Sequence, residues 1–82
     1  MNNWSVYLLR CADGSLYCGV TNDLKKRLKT HNAGKASKFT RGRLPVKLAA
    51  VSGGLSKSEA MRHEYRIKRL PKSEKRRAVR SA

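Results

Sequence analysis

The chain has 82 residues, of which 20 are lysine or arginine and five are aspartate or glutamate, so its formal net charge is +15 at pH 7. A chain of this length buries only about 60% of its unfolded surface, which excludes a large enclosed site and predicts one domain over residues 1–82. The charge excess favours a nucleic acid as partner, DNA or RNA, over a protein whose cations are merely solvated.

The first predicted element is a β-hairpin with strands over residues 4–11 and 15–20. Between them, Ala12-Asp13-Gly14 suits a three-residue loop, a type I turn closed by a glycine in the left-handed region. This loop sets Leu9 opposite Tyr17 and puts Tyr7, Tyr17 and Gly19 on one face. The other face is then wholly apolar. A two-residue Asp13-Gly14 turn is the alternative, and it would send the two tyrosines to opposite faces.

The two cysteines, Cys11 and Cys18, lie on these paired strands and are expected to face opposite sides of the hairpin, which argues against a disulfide. There is no CxxC pair and no signal-like N-terminal segment. We therefore expect a cytoplasmic protein with reduced thiols and without structural zinc. No apolar run approaches the length of a bilayer span, so no membrane partner is expected.

A helix is predicted from Leu24 to Ala33, with Thr21 and Asn22 offering capping oxygens and Gly34 ending it. Leu24 and Leu28 are expected to form its buried stripe.

On the same helix, Arg27 and His31 are four residues apart and therefore share a face. They flank the leucine stripe, so they can reach the edge of the sheet. The three lysines at 25, 26 and 29 are expected to point into solvent.

Residues 35–43 form a loop-like segment with four cations and one aromatic residue, Phe39. Two interpretations stand equally: a loop that tracks phosphates, or a solvated connection with Phe39 in the core. The residues predicted to contact nucleic acid are Lys26, Lys35, Lys38, Arg41, Arg43 and Lys68.

The third strand is predicted from Val46 to Val51, ended by Ser52-Gly53-Gly54. Ser56 and Glu59 form a capping box that opens a helix running to about Leu70.

After Pro71, residues 72–80 predict a short basic terminal helix with Val79 as its main apolar contact. The predicted fold class is therefore α+β, a three-stranded antiparallel sheet flanked by helices in the order β-β-α-β-α-α.

Glu64 falls on the inward stripe predicted for the second long helix. The apolar members of that stripe are Ala60, Met61, Ile67 and Leu70, while His63 is expected to point outward. The other four acids have turn or helix-start positions, so Glu64 alone lacks a local structural role. It is either a partner of a nearby arginine or a ligand for a divalent cation, which prefers oxygen donors.

Hydrolysis of a phosphodiester needs an activated water, a charge sink for the phosphoryl oxygens and help for the leaving oxygen. Tyr7, Tyr17, Arg27, His31 and Glu64 together supply these functions. Arginine suits phosphate because its planar fork donates two parallel hydrogen bonds. Taken singly, strand tyrosines and a helical Arg/His pair are more often packing and surface residues.

The ordered motifs S-V-Y, Y-C-G, T-N-D-L-x-x-R-L-x-x-H and A-x-x-x-E-Y-x-x-K resemble those of the GIY-YIG nuclease domain over nearly the whole chain. The K-F-T-R-G-R-L-P segment and the length resemble the small stand-alone YhbQ-type members. The resemblance implies DNA cleavage with one divalent metal, usually Mg²⁺, with Mn²⁺ as the alternative. It further implies that Tyr7 is the general base, Glu64 the metal ligand and Arg27 the transition-state stabiliser.

By the same resemblance, Tyr17 and His31 orient water or phosphate, and Gly19 lets backbone approach closely. The chain departs from the family pattern at Ser5, where the family has glycine, and at Cys18, where it has isoleucine. It also has no asparagine after Asn32, which several family nucleases carry downstream of the metal-binding glutamate.

Three functions follow as hypotheses. The first is a structure-selective endonuclease in DNA repair or processing, because no attached domain would supply sequence specificity. The second is a weakly active or inactive nucleic-acid-binding module with a protein partner that supplies the target. The third is a structural RNA binder, which predicts steep salt dependence and no effect of metal.

Overall fold

The computed structural model describes residues 2–82 as one three-stranded antiparallel sheet with helices packed on it, so the predicted α+β class is confirmed. The strand order is β2-β1-β3, which makes the first strand central. In chain order the elements are β1 Trp4–Arg10, β2 Leu16–Thr21, α1 Leu24–Asn32, α2 Lys38–Arg41, β3 Lys47–Leu55, α3 Lys57–Lys68 and α4 Lys72–Arg80. The sequence predicted this order without α2.

The hairpin register is the one predicted from the three-residue loop. Leu9 pairs with Tyr17, and Tyr7 pairs with Gly19. The Cys11 amide donates to the Ser15 carbonyl at 2.9 Å, and Gly14 closes the turn with φ of 85°. A residue with a Cβ is strained at that φ, so glycine is the residue that the loop requires.

Two apolar clusters cover the two faces of the sheet. One contains Val6 and Leu8 packed against Ile67 and Val79 of the C-terminal helices. The other surrounds Tyr7 and Leu9 on the opposite face. The cysteines divide between the two clusters, as the register predicts, and both are free thiols. The central strand is therefore buried on both sides, and Tyr7 is only 2% exposed.

The third strand is longer than predicted. It continues through Ser52, Gly53 and Gly54 to Leu55, which pairs with Trp4. Trp4 and Val6 are two residues apart, whereas their partners Leu55 and Ser52 are three apart. The two glycines thus form an irregular step in the ladder instead of ending the strand, because a bulge tolerates an extra residue.

Helix α1 differs from the prediction in its N-cap residue and in which of its residues are buried. Its N-cap is Asp23, whose carboxylate accepts the Lys26 amide at 3.1 Å, while Thr21 accepts the Asp23 amide instead of capping the helix. The predicted leucines are only half-buried. His31 is the one fully buried residue of the helix, at 1% exposure.

The capping box at Ser56 and Glu59 is present, and the inward stripe of α3 is Ala60, Glu64 and Ile67. Met61 was wrongly assigned to this stripe, since it is 49% exposed. It follows Ala60 by one residue, which turns it about 100° around the helix axis.

At the other end of α3, Lys75 of α4 donates to the carbonyls of Ile67 and Lys68, both at 3.1 Å. Val79 is fully buried, as predicted. None of the helices within residues 2–82 is long and apolar enough to cross a membrane.

Candidate active site

A buried chain of hydrogen bonds links β1, α1 and α2. The Tyr7 hydroxyl lies 3.0 Å from His31 Nε2, and His31 Nδ1 lies 2.9 Å from Thr40 Oγ1. Thr40 is fully buried, and its hydroxyl donates to the Ser37 carbonyl at 3.3 Å. Three elements that are distant in sequence therefore meet at one imidazole.

The hydrogen bonds from Tyr7 through His31 and Thr40 to Ser37 are consistent with one tautomer of His31. We assign the hydrogen of His31 to Nδ1, because the Thr40 hydroxyl can then accept from Nδ1–H and donate its own hydrogen to the Ser37 carbonyl. Nε2 is then the unprotonated nitrogen, and it accepts the hydrogen of the Tyr7 hydroxyl. The resting site thus contains a neutral imidazole and a protonated phenol.

The pKa shifts of both groups agree with this assignment. Burial, reinforced by the neighbouring Tyr17, raises the pKa of Tyr7 well above its ordinary value of 10.0. Burial and then the nearby Arg27 guanidinium lower the pKa of His31 below 6.5. Both groups are consequently uncharged at neutral pH.

The charges of Arg27 and Glu64 both act on the Tyr7 phenol. The charge of Arg27 lowers the Tyr7 pKa and the charge of Glu64 raises it, although both effects are smaller than that of burial. Glu64 is 21% exposed and pairs with Lys68 at 3.6 Å, so the arginine partner, one of the two alternatives for Glu64, was wrong. Hydrogen-bond and ring contacts thus join Tyr7, Tyr17 and His31, and Arg27 and Glu64 act on the Tyr7 phenol through their charges.

Tyr17 packs beside the histidine, with 5.1 Å between ring centroids and an edge-on angle of 63°. Its other neighbour is Phe39, stacked at 5.9 Å. Phe39 is 38% exposed, so it is not a core residue, and its ring packs at the surface against Tyr17. Lys68 lies 5.8 Å from the Tyr17 ring centroid.

Gly19 faces Tyr7 across the hairpin, and its lack of a side chain makes room for the phenol. A Cβ at this position would lie 2.5 Å from the Tyr7 hydroxyl oxygen and 2.6 Å from Cζ. Real Cβ atoms essentially never come this close to another atom. The glycine is therefore required by close approach, as the family resemblance implied.

We predict that Gly19→Ala displaces the Tyr7 hydroxyl from His31 and costs about 1–3 kcal/mol of unfolding free energy, because the buried ring cannot move aside freely. Thermal unfolding measures the loss. Gly42→Ala is the control, since nothing lies within 4 Å of the Cβ built there. Equal melting temperatures for the two variants would contradict the close approach.

The basic residues predicted to contact nucleic acid fall into two groups. Lys26, Lys35, Lys38, Arg41 and Lys68 are exposed, and Lys68 also pairs with Glu64. Arg43 instead donates to Asp13 at 3.0 Å and to the Phe39 carbonyl at 2.7 Å, and it covers the Phe39 ring at 4.1 Å. Its guanidinium therefore connects the hairpin turn to α2 by hydrogen bonds, a structural role that the sequence did not indicate.

Sequence reasoning missed Thr40. The segment around it was predicted to be a loop, whereas residues 38–41 form a one-turn helix capped by Ser37, whose hydroxyl accepts the Phe39 amide. A serine followed three residues later by a threonine is a weak signal for such a turn. His63, expected to be a surface residue, is half-buried and its Nδ1 accepts from Arg66 at 2.8 Å.

Glu64 is the residue that could hold a divalent cation. Residues 2–82 contain no group of three or more His, Cys, Asp or Glu side chains that could form a metal cage. Mg²⁺ fits a single carboxylate, since it keeps several waters and takes substrate phosphate oxygens as ligands. The only ion pair of Glu64 in the described residues is a loose one, which leaves carboxylate oxygen lone pairs for a cation.

The family model for the GIY-YIG catalytic domain matches residues 3–77 of this chain. The chain belongs to the GIY-YIG family. The match spans β1 to most of α4 and so includes Tyr7, His31 and Glu64. The resemblance seen in the sequence motifs is thereby confirmed.

Relatives of this GIY-YIG protein include a UPF0213 protein of Oceanobacillus iheyensis, 56% identical over 85% of this chain and 81% of that protein. A UPF0213 protein of Nitratidesulfovibrio vulgaris is 53% identical over 88% of this chain, which spans 66% of that relative's length.

Two solution NMR structures share the GIY-YIG protein's fold. A UPF0213 protein of Bacillus halodurans matches with a TM-score of 0.57 and 48% identity, covering 96% of this chain and 83% of that one. A protein of E. faecalis matches with a TM-score of 0.64 and 32% identity, covering 99% of this chain and 90% of that one.

Proposed function

We propose that this GIY-YIG protein is a metal-dependent endonuclease that hydrolyses DNA phosphodiester bonds, selecting substrates by structure during DNA repair or processing. Membership of a nuclease-type family supports the reaction class. The observation that carries the proposal is the buried hydrogen bond from Tyr7 to a neutral His31, beside Arg27 and Glu64. This arrangement can move a proton without first forming a free phenolate.

The proton path begins at the nucleophilic water. As the water oxygen bonds to phosphorus, one of its hydrogens passes to the Tyr7 oxygen, and the phenol hydrogen passes to His31 Nε2. The bond from phosphorus to the leaving oxygen breaks, the leaving oxygen takes a proton from solvent water, and His31 afterwards returns its proton to solvent. Thr40 holds Nδ1–H throughout, so the imidazole keeps Nε2 facing the phenol. The raised pKa of Tyr7 is thus compatible with a role as general base, because the phenol is never required to ionise alone.

Arg27 would donate to the phosphoryl oxygens, where negative charge accumulates. A divalent cation held by Glu64 would neutralise charge on the same phosphoryl group. Tyr17 orients the water or phosphate beside His31, and Gly19 keeps the Tyr7 hydroxyl accessible to His31. Lys26 and Arg27 line one recess of about 370 Å³ together with Asp23, and the two cations would contact the phosphate of the bound strand.

The test is incubation of the purified protein with labelled single-stranded, duplex, flap and branched DNA in Mg²⁺, Mn²⁺ or chelator. We expect metal-dependent cutting of at least one substrate and none in chelator. Cutting that persists in chelator, or no cutting of any substrate in either metal, overturns the proposal.

The pH dependence of cleavage follows from His31. It must be neutral to accept the proton, and its pKa lies below 6.5, so the single-turnover rate should be level near neutral pH and fall tenfold per pH unit below the pKa. His31→Gln should be slow and lack this acid limb.

Acid unfolding must be separated from the loss of cleavage rate. The folded state binds a proton at His31 less readily than the unfolded state does. The free energy of unfolding therefore also declines as the pH falls below about 6.5, the pKa of an unfolded histidine. Rates are therefore compared only where circular dichroism shows both proteins folded. An identical acid limb in wild type and His31→Gln would remove His31 from the proton path.

A binding module is the second candidate, favoured by the lone carboxylate and by the lack of asparagine after Asn32. It predicts equal DNA binding by wild type and Glu64→Ala, with no cleavage by either at any metal concentration. Such a module would need a protein partner to act on its target.

A further inference from the structure

On the face of the sheet opposite Tyr7, an open groove of about 890 Å³ runs between α4 and the turn end of the hairpin. Five cations line it: Arg10, Lys72, Arg76, Arg77 and Arg80. The lining contains no carboxylate. We name this surface the α4 groove.

The cations of the α4 groove have no internal partner in the part of the chain that the structure describes. The two ion pairs found between residues 2 and 82 are Arg43 with Asp13 and Lys68 with Glu64, both elsewhere. Lys75, on the same helix, differs because it donates to two carbonyls at the end of α3. The helix thus uses one cation for its own packing and leaves the others to the groove.

The spacing of the cations along α4 destabilises the helix when no anion is bound. Lys72, Arg76 and Arg80 are four residues apart in turn, an arrangement in which like charges repel. An external polyanion would relieve this repulsion. Four of the five groove cations are arginines, whose planar fork matches phosphate oxygens.

The row also matches the dimensions of a DNA strand. A rise of about 1.5 Å per residue sets successive members of the row about 6 Å apart along the helix. Each strand of a duplex carries one phosphate per roughly 3.4 Å of axis, and the phosphates are more widely spaced along the winding strand itself. Three cations about 6 Å apart can therefore each meet a phosphate of one backbone.

We propose that the α4 groove is a second DNA-binding surface, which holds a phosphate backbone of the substrate between α4 and the turn end of the hairpin, on the face of the sheet opposite Tyr7. This proposal rests on DNA as the partner in the proposed function, but it does not rest on cleavage. It assigns a role to the basic terminal helix that the proposed active site leaves unused.

The test compares two triple variants that each remove three positive charges. Arg76→Gln/Arg77→Gln/Arg80→Gln changes the α4 groove, whereas Lys25→Gln/Lys29→Gln/Lys47→Gln changes exposed lysines that line neither recess. Affinity for a duplex is measured by fluorescence anisotropy over a range of salt concentrations.

We expect the groove variant to bind about 10-fold or more weakly than the control variant, with a logarithmic salt slope smaller by about 2 to 3. Its single-turnover cleavage rate at saturating DNA should equal that of wild type. Equal affinity and slope for the two variants would overturn the groove, as would stronger competition by duplex RNA than by duplex DNA.

A second measurement needs no variant. Duplex DNA added to the wild-type protein should shift the amide NMR signals of Arg76, Arg77 and Gly14, and absence of those shifts at saturation contradicts the proposal. If wild type binds through the groove but cuts no substrate, the proposed function fails and the groove stands. If it cuts but the groove signals do not move, the reverse holds.

Discussion

Glu64→Gln should reduce the single-turnover rate of DNA cleavage by about 10³-fold or more while leaving DNA affinity unchanged or slightly higher. The amide keeps the size of the side chain but removes the charge that would hold the cation and balance the phosphoryl group. The measurement is cleavage of the best substrate at saturating protein and Mg²⁺, with affinity measured separately in chelator.

Folding should be almost unaffected by this change. Glu64 loses an i,i+4 pair with a half-exposed lysine, which is worth about 0.5 kcal/mol or less. Glu74→Gln is the matched control, because that carboxylate is exposed in the first turn of α4 and lines neither recess. If both variants lose the same fraction of activity, Glu64 has no special role.

Tyr7→Phe should slow cleavage by about 10²- to 10⁴-fold, the range expected when a proton-transfer group is removed. The ring remains and its packing against Leu9 and Cys11 is retained, but the proton path from water to His31 is broken. Single-turnover cleavage measures this effect. Tyr65→Phe is the control, since Tyr65 is 67% exposed and its hydroxyl only accepts from Arg69.

The same change should also lower stability, by about 1–3 kcal/mol, because buried His31 Nε2 loses its only donor in the described residues. For a domain of this size that is a melting temperature lower by at least about 4 °C. A Tyr7→Phe protein that melts and cuts like the Tyr65→Phe control would show that the hydrogen bond to His31 is unimportant.

The hairpin could be predicted from sequence because one local choice decided it. Only the three-residue turn makes a wholly apolar face, and that register also brings Tyr7 and Tyr17 together. Glu64 could be anticipated for a similar reason, since helical spacing alone places it on the row of Ala60 and Ile67.

The contacts around His31 could not be predicted in this way. Its burial depends on α2, a single turn that packs against α1 and supplies Thr40. The position of α1 depends on Asn32, whose amide group bonds both the amide and the carbonyl of Val46. The His31–Thr40 and Asn32–Val46 contacts join residues nine and fourteen positions apart through side chains. A helical or strand periodicity in the sequence does not predict such contacts.

The α4 groove was foreseeable only in part. The sequence predicted a basic terminal helix, and the i,i+4 spacing of its cations was available to inspection. Arg10 joins the groove because the turn end of the hairpin lies beside α4, which is a property of the assembled sheet.

The most direct test of the proposed active site is the single-turnover rate of the Tyr7→Phe/Glu64→Gln double variant beside wild type and the two single variants. Residues that act as one centre have strongly non-additive effects. The double variant should therefore cut about as slowly as the slower single variant, in a wild-type reaction that requires metal. Losses that multiply, or a wild-type protein without metal-dependent cleavage, would contradict a single hydrolytic centre at Tyr7, His31 and Glu64.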